Sequence, residues 1–346
     1  MLGLNRVLNR TLANSTDEHF PKHMSQYLNM SETRLLIFYL RTARRKARDV
    51  AVAEALCLFR DLDALAPRGG PLSEQGGLFW ISLPAAQLEP AIARLPRLGY
   101  TVAVDLLELA DQPLGALAIS GEPSDSARTV HWRRRPYRLV RVYEEDAGAL
   151  RESAPDQRVF LFETRDGEVR AIQGYRGDGG ALSRRGLPVC DARMLVNLTF
   201  IGTGTTLLDP FAGIGGIVRE AKAGGLQVFS TDIDLALRHG LARLGARHCV
   251  ADAARLPYPA ATFDASATEP PYHRGAEQDV LDALSEMARV VKEKGRIAVL
   301  CAAWQAAGLR TRAALAGLNA YLDAPIDRKG LDVVALAWQK SAAPAP

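Results

Sequence analysis

The chain has 346 residues, which is long for one domain and sufficient for two or three. Its 48% hydrophobic and 24% charged residues are ordinary for a globular protein with a sizeable core. The net charge of +4 alone indicates no particular partner. No apolar run approaches the ~18 residues of a membrane-spanning helix, so we expect no membrane span.

The cysteines lie far apart and form no C-x-x-C pair and no metal-ligand spacing. They are Cys57, Cys190, Cys249 and Cys301. This pattern predicts reduced, buried thiols in a cytoplasmic protein without a metal site. Residues 1–30 are polar, mixed in charge and without the apolar segment of a secretion signal, so we expect a flexible leader.

The first predicted domain covers residues 31–112 and alternates strands with helices. Apolar and aromatic runs predict the strands, and apolar residues at helical spacing predict the helices. In chain order these are a strand at 35–40, a helix at 49–62, a strand at 78–83, a helix at 85–98 and a strand at 101–109. The β-α-β-α-β order predicts a small α/β domain of ferredoxin-like kind.

Residues 113–182 are predicted to be a linker and a small β-rich region that binds RNA. From Arg128 to Arg141 there are six arginines and no acid, with His131, Trp132 and Tyr137 among them. Such a segment can hold phosphates and stack on unpaired bases, although core packing beside a solvated arginine face explains the aromatic residues equally well. The same region includes a predicted hairpin, with strands at 158–164 and 168–173 and a tight Asp-Gly turn.

The last predicted domain covers residues 183–340, and residues 341–346 form a tail. Strand-like runs alternate with helical patterns, which is typical of a doubly wound, Rossmann-like parallel sheet. We predict strands at 205–208, 227–231, 265–268, 296–301 and 333–338, with helices at 188–198, 217–223, 235–244, 280–291 and 309–315. Residues 320–338 are predicted to form a terminal hairpin that turns at Arg328-Lys329-Gly330. The predicted fold class is therefore α/β, and sheets of this kind bind ligands at the carboxyl ends of their strands.

A glycine-rich turn follows the first strand of this sheet. It reads Asp209-Pro210-Phe211-Ala212-Gly213-Ile214-Gly215-Gly216. Its glycines let the backbone approach a ligand closely, and its G-x-G-G spacing differs from the G-x-G-x-x-G of dinucleotide-binding turns. The turn therefore favours a smaller ligand, and its leading acid favours a cationic one. A tight strand-to-helix turn without a ligand is the alternative.

Acids also follow the next two strands. Asp232 stands where acids of doubly wound folds accept hydrogen bonds from a ribose, although it or Asp234 can instead cap the following helix. Asp252 follows the strand-like run 248–251. It can accept a hydrogen bond from the exocyclic amine of an adenine, or it can be an ordinary loop carboxylate.

The string Thr268-Glu269-Pro270-Pro271-Tyr272 ends the pattern. Two prolines directly after a strand cannot continue its hydrogen-bond ladder, so they predict a stiff turn. That turn presents a carboxylate, carbonyl groups and an aromatic ring together. The set can stack on a flat base and accept hydrogen bonds from its amino group, and a purely structural turn is the alternative.

Together the four motifs resemble class I S-adenosylmethionine-dependent methyltransferases of the branch that methylates exocyclic amines of nucleic-acid bases. The turn at 209–216 resembles the cofactor loop of that family, and 269–272 resembles its catalytic Asp-Pro-Pro-Tyr tetrapeptide. The segment Arg185–Phe200, with Pro188, Asp191 and Arg193, resembles the helix before the cofactor loop in tRNA guanine-N2 methyltransferases that carry a THUMP module.

The resemblance implies S-adenosylmethionine as cofactor, RNA, most often tRNA, as partner, and the N2 amine of a guanosine as target. The implied catalytic residues are Glu269, Pro270, Pro271 and Tyr272. The implied cofactor-binding residues are Asp209, Phe211, Ala212, Gly213, Gly215, Asp232, Ile233, Asp252 and Ala253. Glu269 departs from the family, which usually has Asp or Asn there, and its longer arm moves the carboxylate by about one carbon–carbon bond, a shift that matters for catalysis.

Two other functions stay open at this point. A DNA amino-methyltransferase would share the motifs, although the N-terminal α/β domain argues weakly against it. An RNA-binding or scaffolding protein with a decayed catalytic motif would explain Glu269. The cofactor-type residues Asp209, Gly213, Gly215 and Asp232 oppose that third interpretation.

Overall fold

The computed structural model divides the chain into two compact units, residues 1–146 and 147–346. The residues it describes are 33–41, 46–66, 77–109, 129–132, 135–145, 159–164, 166–173, 186–199, 202–328 and 331–342. Within these ranges no helix is both long enough and apolar enough to cross a membrane.

The first unit is built on a five-stranded antiparallel sheet with the order β2-β1-β3-β5-β4. Its strands are β1 (Thr33–Leu40), β2 (Leu78–Pro84), β3 (Thr101–Leu109), β4 (Thr129–Trp132) and β5 (Arg135–Glu144). Helix α1 (Arg48–Leu58) follows β1, and helix α2 (Leu88–Arg94) follows β2. The β-α-β-α-β order predicted for this part of the chain is present. Strands β4 and β5, from the segment predicted to bind RNA, extend the same sheet.

Tyr137 is the aromatic residue of the arginine-rich segment whose side chain the structure describes, and it lies on the buried face of this sheet. Tyr137 is 4% exposed and packs in a cluster with Ile37, Trp80 and Leu107. Its neighbour Arg138 points to the exposed face, because successive side chains of a strand alternate between faces. Tyr137 is therefore a core residue, as the alternative interpretation has it. Residues 133–134 and the side chain of Trp132 lie outside the described part.

The second unit contains a separate hairpin and a seven-stranded sheet. The hairpin pairs β6 (Val159–Glu163) with β7 (Val169–Gln173), as predicted. The large sheet has the order β10-β9-β8-β11-β12-β14-β13. Its strands are β8 (Thr206–Asp209), β9 (Gln227–Asp232), β10 (Arg247–Val250), β11 (Phe263–Thr268), β12 (Val291–Ala302), β13 (Leu318–Arg328) and β14 (Leu331–Lys340).

Strands β8 to β12 run parallel, and the β13–β14 hairpin joins them antiparallel to β12. This confirms the predicted doubly wound sheet and its terminal hairpin. The helices are α3 (Val189–Thr199), α4 (Gly216–Ala223), α5 (Arg238–Arg243), α6 (Glu277–Val290) and α7 (Ala306–Leu315). Their apolar faces cover the sheet; in α6, for example, Val280, Leu284 and Met287 pack in the cluster that contains Ile297 and Trp338.

Candidate active site

The acids singled out by the sequence meet at one edge of the large sheet. β8 lies between β9 and β11 and is parallel to both. Asp209 ends β8, Asp232 ends β9, and Glu269 directly follows the last residue of β11. Because parallel strands place their carboxyl ends at the same edge, the structure brings the glycine-rich turn and the Glu-Pro-Pro-Tyr turn together.

Asp209 is the most deeply buried of these acids, with 1% of its surface exposed. Its Oδ1 accepts hydrogen bonds from the Thr268 hydroxyl at 2.8 Å and from the Phe211 amide at 3.3 Å. Burial raises the pKa of Asp209 to about 7, although both hydrogen bonds oppose that rise. Asp209 therefore ties the start of the glycine-rich turn to the end of β11 and does not face solvent.

The two central glycines of the turn serve different purposes. Both adopt positive φ angles, +51° at Gly213 and +80° at Gly215, which favour glycine. A Cβ atom on Gly215 would collide with Leu244, so that glycine permits close packing of the segment that follows α5. A Cβ atom on Gly213 would meet nothing within 4 Å. The backbone at Gly213 therefore borders open space, as a ligand-binding turn requires.

Asp232 fixes the shape of this turn. Its Oδ2 accepts a hydrogen bond from the Gly213 amide at 2.8 Å, and its Oδ1 accepts one from the Asp234 amide at 3.0 Å. A carboxylate has about four acceptor positions, so each oxygen retains capacity for a further donor. Asp234 itself accepts from the Ala236 amide at 2.9 Å, which confirms the capping alternative for that residue.

Exposed apolar side chains follow β9 and end β10. Ile233 is 74% exposed, and Leu235 and Val250 are also exposed. Asp252 is exposed as well and accepts from the Ala254 amide at 2.9 Å, while the adjacent Ala253 is buried. Ile233, which lies between Asp232 and Asp234 in the sequence, therefore provides an exposed apolar surface beside carboxylates that accept hydrogen bonds.

Glu269 is held by two donors that act on the same oxygen. The Tyr272 hydroxyl donates to Oε1 at 2.5 Å, and Arg328 Nη1 donates to Oε1 at 2.7 Å. Burial raises the pKa of Glu269, and the positive charge of Arg328 opposes that rise. Burial and the Glu269 carboxylate together raise the pKa of Tyr272, so the phenol stays protonated and donates.

The two prolines are also anchored from the sheet. The buried Gln305 donates from Nε2 to the Pro271 carbonyl at 2.9 Å and accepts at Oε1 from the Ala302 amide at 3.0 Å. Among the described residues, none donates to the Pro270 carbonyl. The turn is therefore fixed at Pro271, while an acceptor at Pro270 stays available.

Three side chains of this site were not assigned to it from the sequence: Thr268, Gln305 and Arg328. Arg328 lies 59 positions from Glu269, and Gln305 lies 34 positions from Pro271. No local motif marks either residue, because only the pairing of β12, β13 and β14 brings them to the Glu-Pro-Pro-Tyr turn. From the sequence, Arg328 was predicted only to lie in the turn of the terminal hairpin.

Part of this chain is similar to known proteins. Residues 208–299 match the family model for a methyltransferase domain. Over 119 residues the chain is 35% identical to the tRNA (guanine(10)-N2)-dimethyltransferase of Pyrococcus abyssi, a match that covers 30% of this chain and 36% of that protein. The chain thus spans about a third of the length of this curated relative.

Solved structures similar to this chain include one from Thermus thermophilus and one from Streptomyces coelicolor A3(2). TrmN from Thermus thermophilus aligns over 89% of this chain and 99% of its own, with 18% identity and a TM-score of 0.46. The geranyl diphosphate C-methyltransferase of Streptomyces coelicolor A3(2) aligns over 44% of this chain and 79% of its own, with 16% identity and a TM-score of 0.38.

The family match begins at the end of β8 and ends within β12, so it spans the glycine-rich turn, Asp232, Asp252 and the Glu-Pro-Pro-Tyr turn. The strand order around these motifs is that of a doubly wound sheet. Residues 208–299 therefore form a methyltransferase domain on a doubly wound sheet, with S-adenosylmethionine as its methyl donor.

Proposed function

We propose that this protein is an RNA methyltransferase that methylates the exocyclic N2 amine of a guanosine in tRNA. The observation that carries the proposal is the Glu-Pro-Pro-Tyr turn, which holds a carboxylate and an open carbonyl beside the glycine-rich turn. Such a pair of acceptors suits the two protons of an amine. The tRNA guanine-N2 specificity named for the Pyrococcus abyssi relative supports the choice of substrate.

The residues at the sheet edge fit the chemical groups of S-adenosylmethionine. The open backbone face of Gly213 leaves room for the ligand, and Asp232 retains acceptor capacity for ribose hydroxyls. Ile233 offers an exposed apolar surface to a flat adenine ring, and Asp252 lies on the next loop for its amino group. The proposed cofactor residues are Asp209, Phe211, Ala212, Gly213, Gly215, Asp232, Ile233, Asp252 and Ala253.

We propose that Asp209 supports cofactor binding indirectly. It is buried and its described contacts are internal, so we assign it to holding the glycine-rich turn against β11. Phe211, Ala212 and Gly215 likewise shape the turn, whereas Gly213, Asp232 and Ile233 present surfaces that a ligand can reach.

The chemical problem at the target is the weak nucleophilicity of a base amine, whose lone pair is delocalised into the ring. Bound S-adenosylmethionine supplies an electrophilic methyl group on a sulfonium. In the proposed mechanism Glu269 and the Pro270 carbonyl accept hydrogen bonds from the amine protons, orient the nitrogen and favour its developing positive charge. The nitrogen gains the methyl group as the methyl–sulfur bond breaks and a neutral thioether leaves. The nitrogen also loses one proton, which the Glu269 carboxylate can accept.

Tyr272 has two proposed roles. Its hydroxyl donates to Glu269, and its ring is proposed to stack on the target base. A paired guanosine has to be flipped out of its helix first, as enzymes that act on base edges require. Pro271 contributes through the stiffness of the turn, because its carbonyl is already bound by Gln305.

RNA binding is proposed for the arginine-rich segment, but its arginines differ in availability. Arg138 pairs with Glu108 at 3.2 Å and Arg141 pairs with Asp105, both across from β5 to β3. The arginine-rich segment contains no acidic residue, but the neighbouring strand β3 supplies the two carboxylates that pair with Arg138 and Arg141. Phosphate contacts are therefore proposed for Arg133, Arg134 and Arg135. Changing these three to Gln should weaken tRNA binding and flatten its salt dependence, and an unchanged slope of affinity against salt would contradict this role.

The function is tested by single-turnover methyl transfer from isotope-labelled S-adenosylmethionine to bulk tRNA. We expect the label in N2-methylguanosine after digestion to nucleosides and mass spectrometry, and much slower labelling with Glu269→Ala. Label in DNA but not in RNA would support a DNA amino-methyltransferase instead. Folded protein that binds the cofactor but labels neither nucleic acid would support a catalytically decayed binding protein.

A further inference from the structure

We propose that Arg328 is a positioning residue, which holds Glu269 by one carboxylate oxygen so that the other oxygen serves the target amine. The inference rests on the proposed function and names a residue for it that lies outside the Glu-Pro-Pro-Tyr turn. Arg328 is the last residue of β13, on the terminal hairpin of the sheet.

The geometry separates the two oxygens of Glu269. Both Tyr272 and Arg328 donate to Oε1, at 2.5 and 2.7 Å. Within the described part of the chain, no donor is bound to Oε2. The side chain is only 21% exposed, so few other orientations are open to it. Glu269 is thus anchored at one oxygen and retains an acceptor at the other.

Arg328 is itself fixed from a second side. Its Nε lies 3.4 Å from Oδ2 of Asp191, which is fully buried in the first turn of α3. The planar guanidinium can engage two carboxylates with different nitrogens, which lysine cannot do with the same geometry. Arg328 is therefore held between α3 and the Glu-Pro-Pro-Tyr turn and has little freedom to move away from Glu269.

This arrangement gives a physical reason for the glutamate. The longer side chain reaches the guanidinium of β13, and that contact fixes an arm that would otherwise have more rotamers than aspartate. The cluster also keeps a net negative charge, because two carboxylates, Glu269 and Asp191, face one guanidinium. The cluster can therefore still favour the positive charge that develops on a methylated amine.

Among the described residues, Arg328 is the cation in the set of charged and titratable groups that bear on Glu269. The others are Tyr272 in the same turn, Asp191 on α3 and Asp209 at the end of β8. A neighbouring cation favours the ionised form of a carboxyl group, whereas neighbouring carboxylates disfavour it. Loss of the Arg328 charge should therefore raise the pKa of Glu269, because burial and Asp191 then act without opposition from a cation.

The experiment compares Arg328→Gln and Arg328→Lys with the wild type and a matched control. The control is Arg312→Gln, which removes an arginine bound to Asp282 and Ser285 between α7 and α6. Because Arg328→Gln removes a cation beside the buried Asp191, the double variant Asp191→Asn with Arg328→Gln serves as a second version. Thermal unfolding establishes which variants are folded.

We expect Arg328→Gln to lower kcat for tRNA methylation by about 10- to 100-fold, the size of effect that follows from misplacing a catalytic group. The KM for tRNA and the affinity for S-adenosylmethionine should change little. The acid limb of the pH–kcat profile should move to higher pH by about one unit or more. Arg328→Lys, which keeps the charge but not the fork, should be intermediate, and Arg312→Gln should match the wild type.

A second readout does not depend on activity. Carbon-13 NMR of glutamate-labelled protein follows the Glu269 carboxyl, which Glu269→Gln identifies, and its titration should move upward in Arg328→Gln. An unchanged titration and an unchanged kcat would overturn the proposal, and a raised kcat would show that Arg328 obstructs the site. If wild-type protein methylates no RNA, the proposed function fails, while the NMR titration still decides whether Arg328 controls Glu269.

Discussion

Each of the two units contains a glutamate that is fully or mostly removed from solvent, and the two side chains are satisfied in different ways. Glu54, on α1 of the first unit, is fully buried, and its two oxygens accept from the backbone amides of Gly99 and Tyr100 at 2.7 and 3.1 Å. Glu269, in the second unit, accepts at one oxygen from two side chains. Glu54 therefore closes the turn before β3, whereas Glu269 is anchored and still has an acceptor to offer.

The difference shows why burial of a carboxylate is insufficient to identify a reactive group. Backbone amides satisfy Glu54 at both oxygens, so its hydrogen bonds contribute to folding. Glu269 receives its donors from residues on two different elements, and one of these is a cation that favours the charged form. Substitutions of the two glutamates should therefore distinguish an effect on folding stability from an effect on methyl transfer.

The largest effect is expected at Glu269. Glu269→Ala should lower the single-turnover rate of methyl transfer by about 10²- to 10³-fold, because an oriented electrostatic contact to the reacting group is lost. Glu269→Gln, which keeps an acceptor oxygen, should lose only part of the rate. The affinity for S-adenosylmethionine, measured by calorimetry, should change little in either variant.

Glu269→Asp tests whether the site has adapted to the longer side chain. Aspartate is shorter and should lose the contact with Arg328, so we expect it to be slower than the wild type. A faster Glu269→Asp variant would indicate a decayed site that the usual family residue repairs. Equal rates in all four proteins would remove Glu269 from the mechanism.

Glu54 should give the opposite result. Glu54→Gln replaces one acceptor oxygen with a donor that faces a backbone amide, and we expect a loss of about 1–3 kcal/mol in the free energy of unfolding. Chemical denaturation measures the loss, and the rate of methyl transfer per folded molecule should stay at the wild-type value. Loss of that rate in folded Glu54→Gln protein would contradict a purely structural role.

Much of the fold could be predicted from the sequence because its patterns are local. The strand β3 was predicted with its observed bounds, and the alternation of strands and helices in the second unit gave the doubly wound sheet. Strand β4 was missed, since it is four residues long and lies beside a run of arginines. The antiparallel pairing of β5 with β3 also follows from long-range contacts that no local pattern records.

The grouping of acids at one edge of the sheet was predictable to the same extent. Motifs located Asp209, Asp232 and Glu269, because each lies at the end of a strand or directly after it, and the three strands end at the same edge of the sheet. Arg328 and Gln305 were missed, because their positions depend on how β12, β13 and β14 pair. The burial of Asp209 was also unforeseen, since a short strand does not reveal which of its residues is covered on every side.

A smaller effect is expected at Asp232, for which we propose contact with the cofactor. Asp232→Ala should weaken binding of S-adenosylmethionine by about 1–3 kcal/mol, because ribose hydroxyls and the Gly213 amide lose their acceptor. Isothermal calorimetry gives the affinity. Asp234→Ala is the matched control, because that acid caps the turn after β9, and it should bind the cofactor nearly as well. Equal weakening in both variants would assign Asp232 to the shape of the turn alone.

The most restricted change is expected at Asp209, where only the pH dependence of stability should differ. Its pKa in the folded protein, about 7, lies above the value of an unfolded aspartate, so the folded state holds a proton that the unfolded state releases between about pH 4 and 7. The unfolding free energy should therefore fall across that window as pH rises, by at most about 1.4 kcal/mol per pH unit from this group.

Asp209→Asn should remove that component, because the amide keeps an acceptor for Thr268 and Phe211 and does not titrate. Denaturant unfolding at several pH values should show the variant gaining stability relative to the wild type from pH 4 to 7. Glu286→Gln is a control of opposite sign, because Arg289 lowers the pKa of Glu286 and its contribution is lost as pH falls. Parallel stability curves for wild type and Asp209→Asn would contradict the raised pKa. They would show that Asp209 is ionised across this pH range although it is buried.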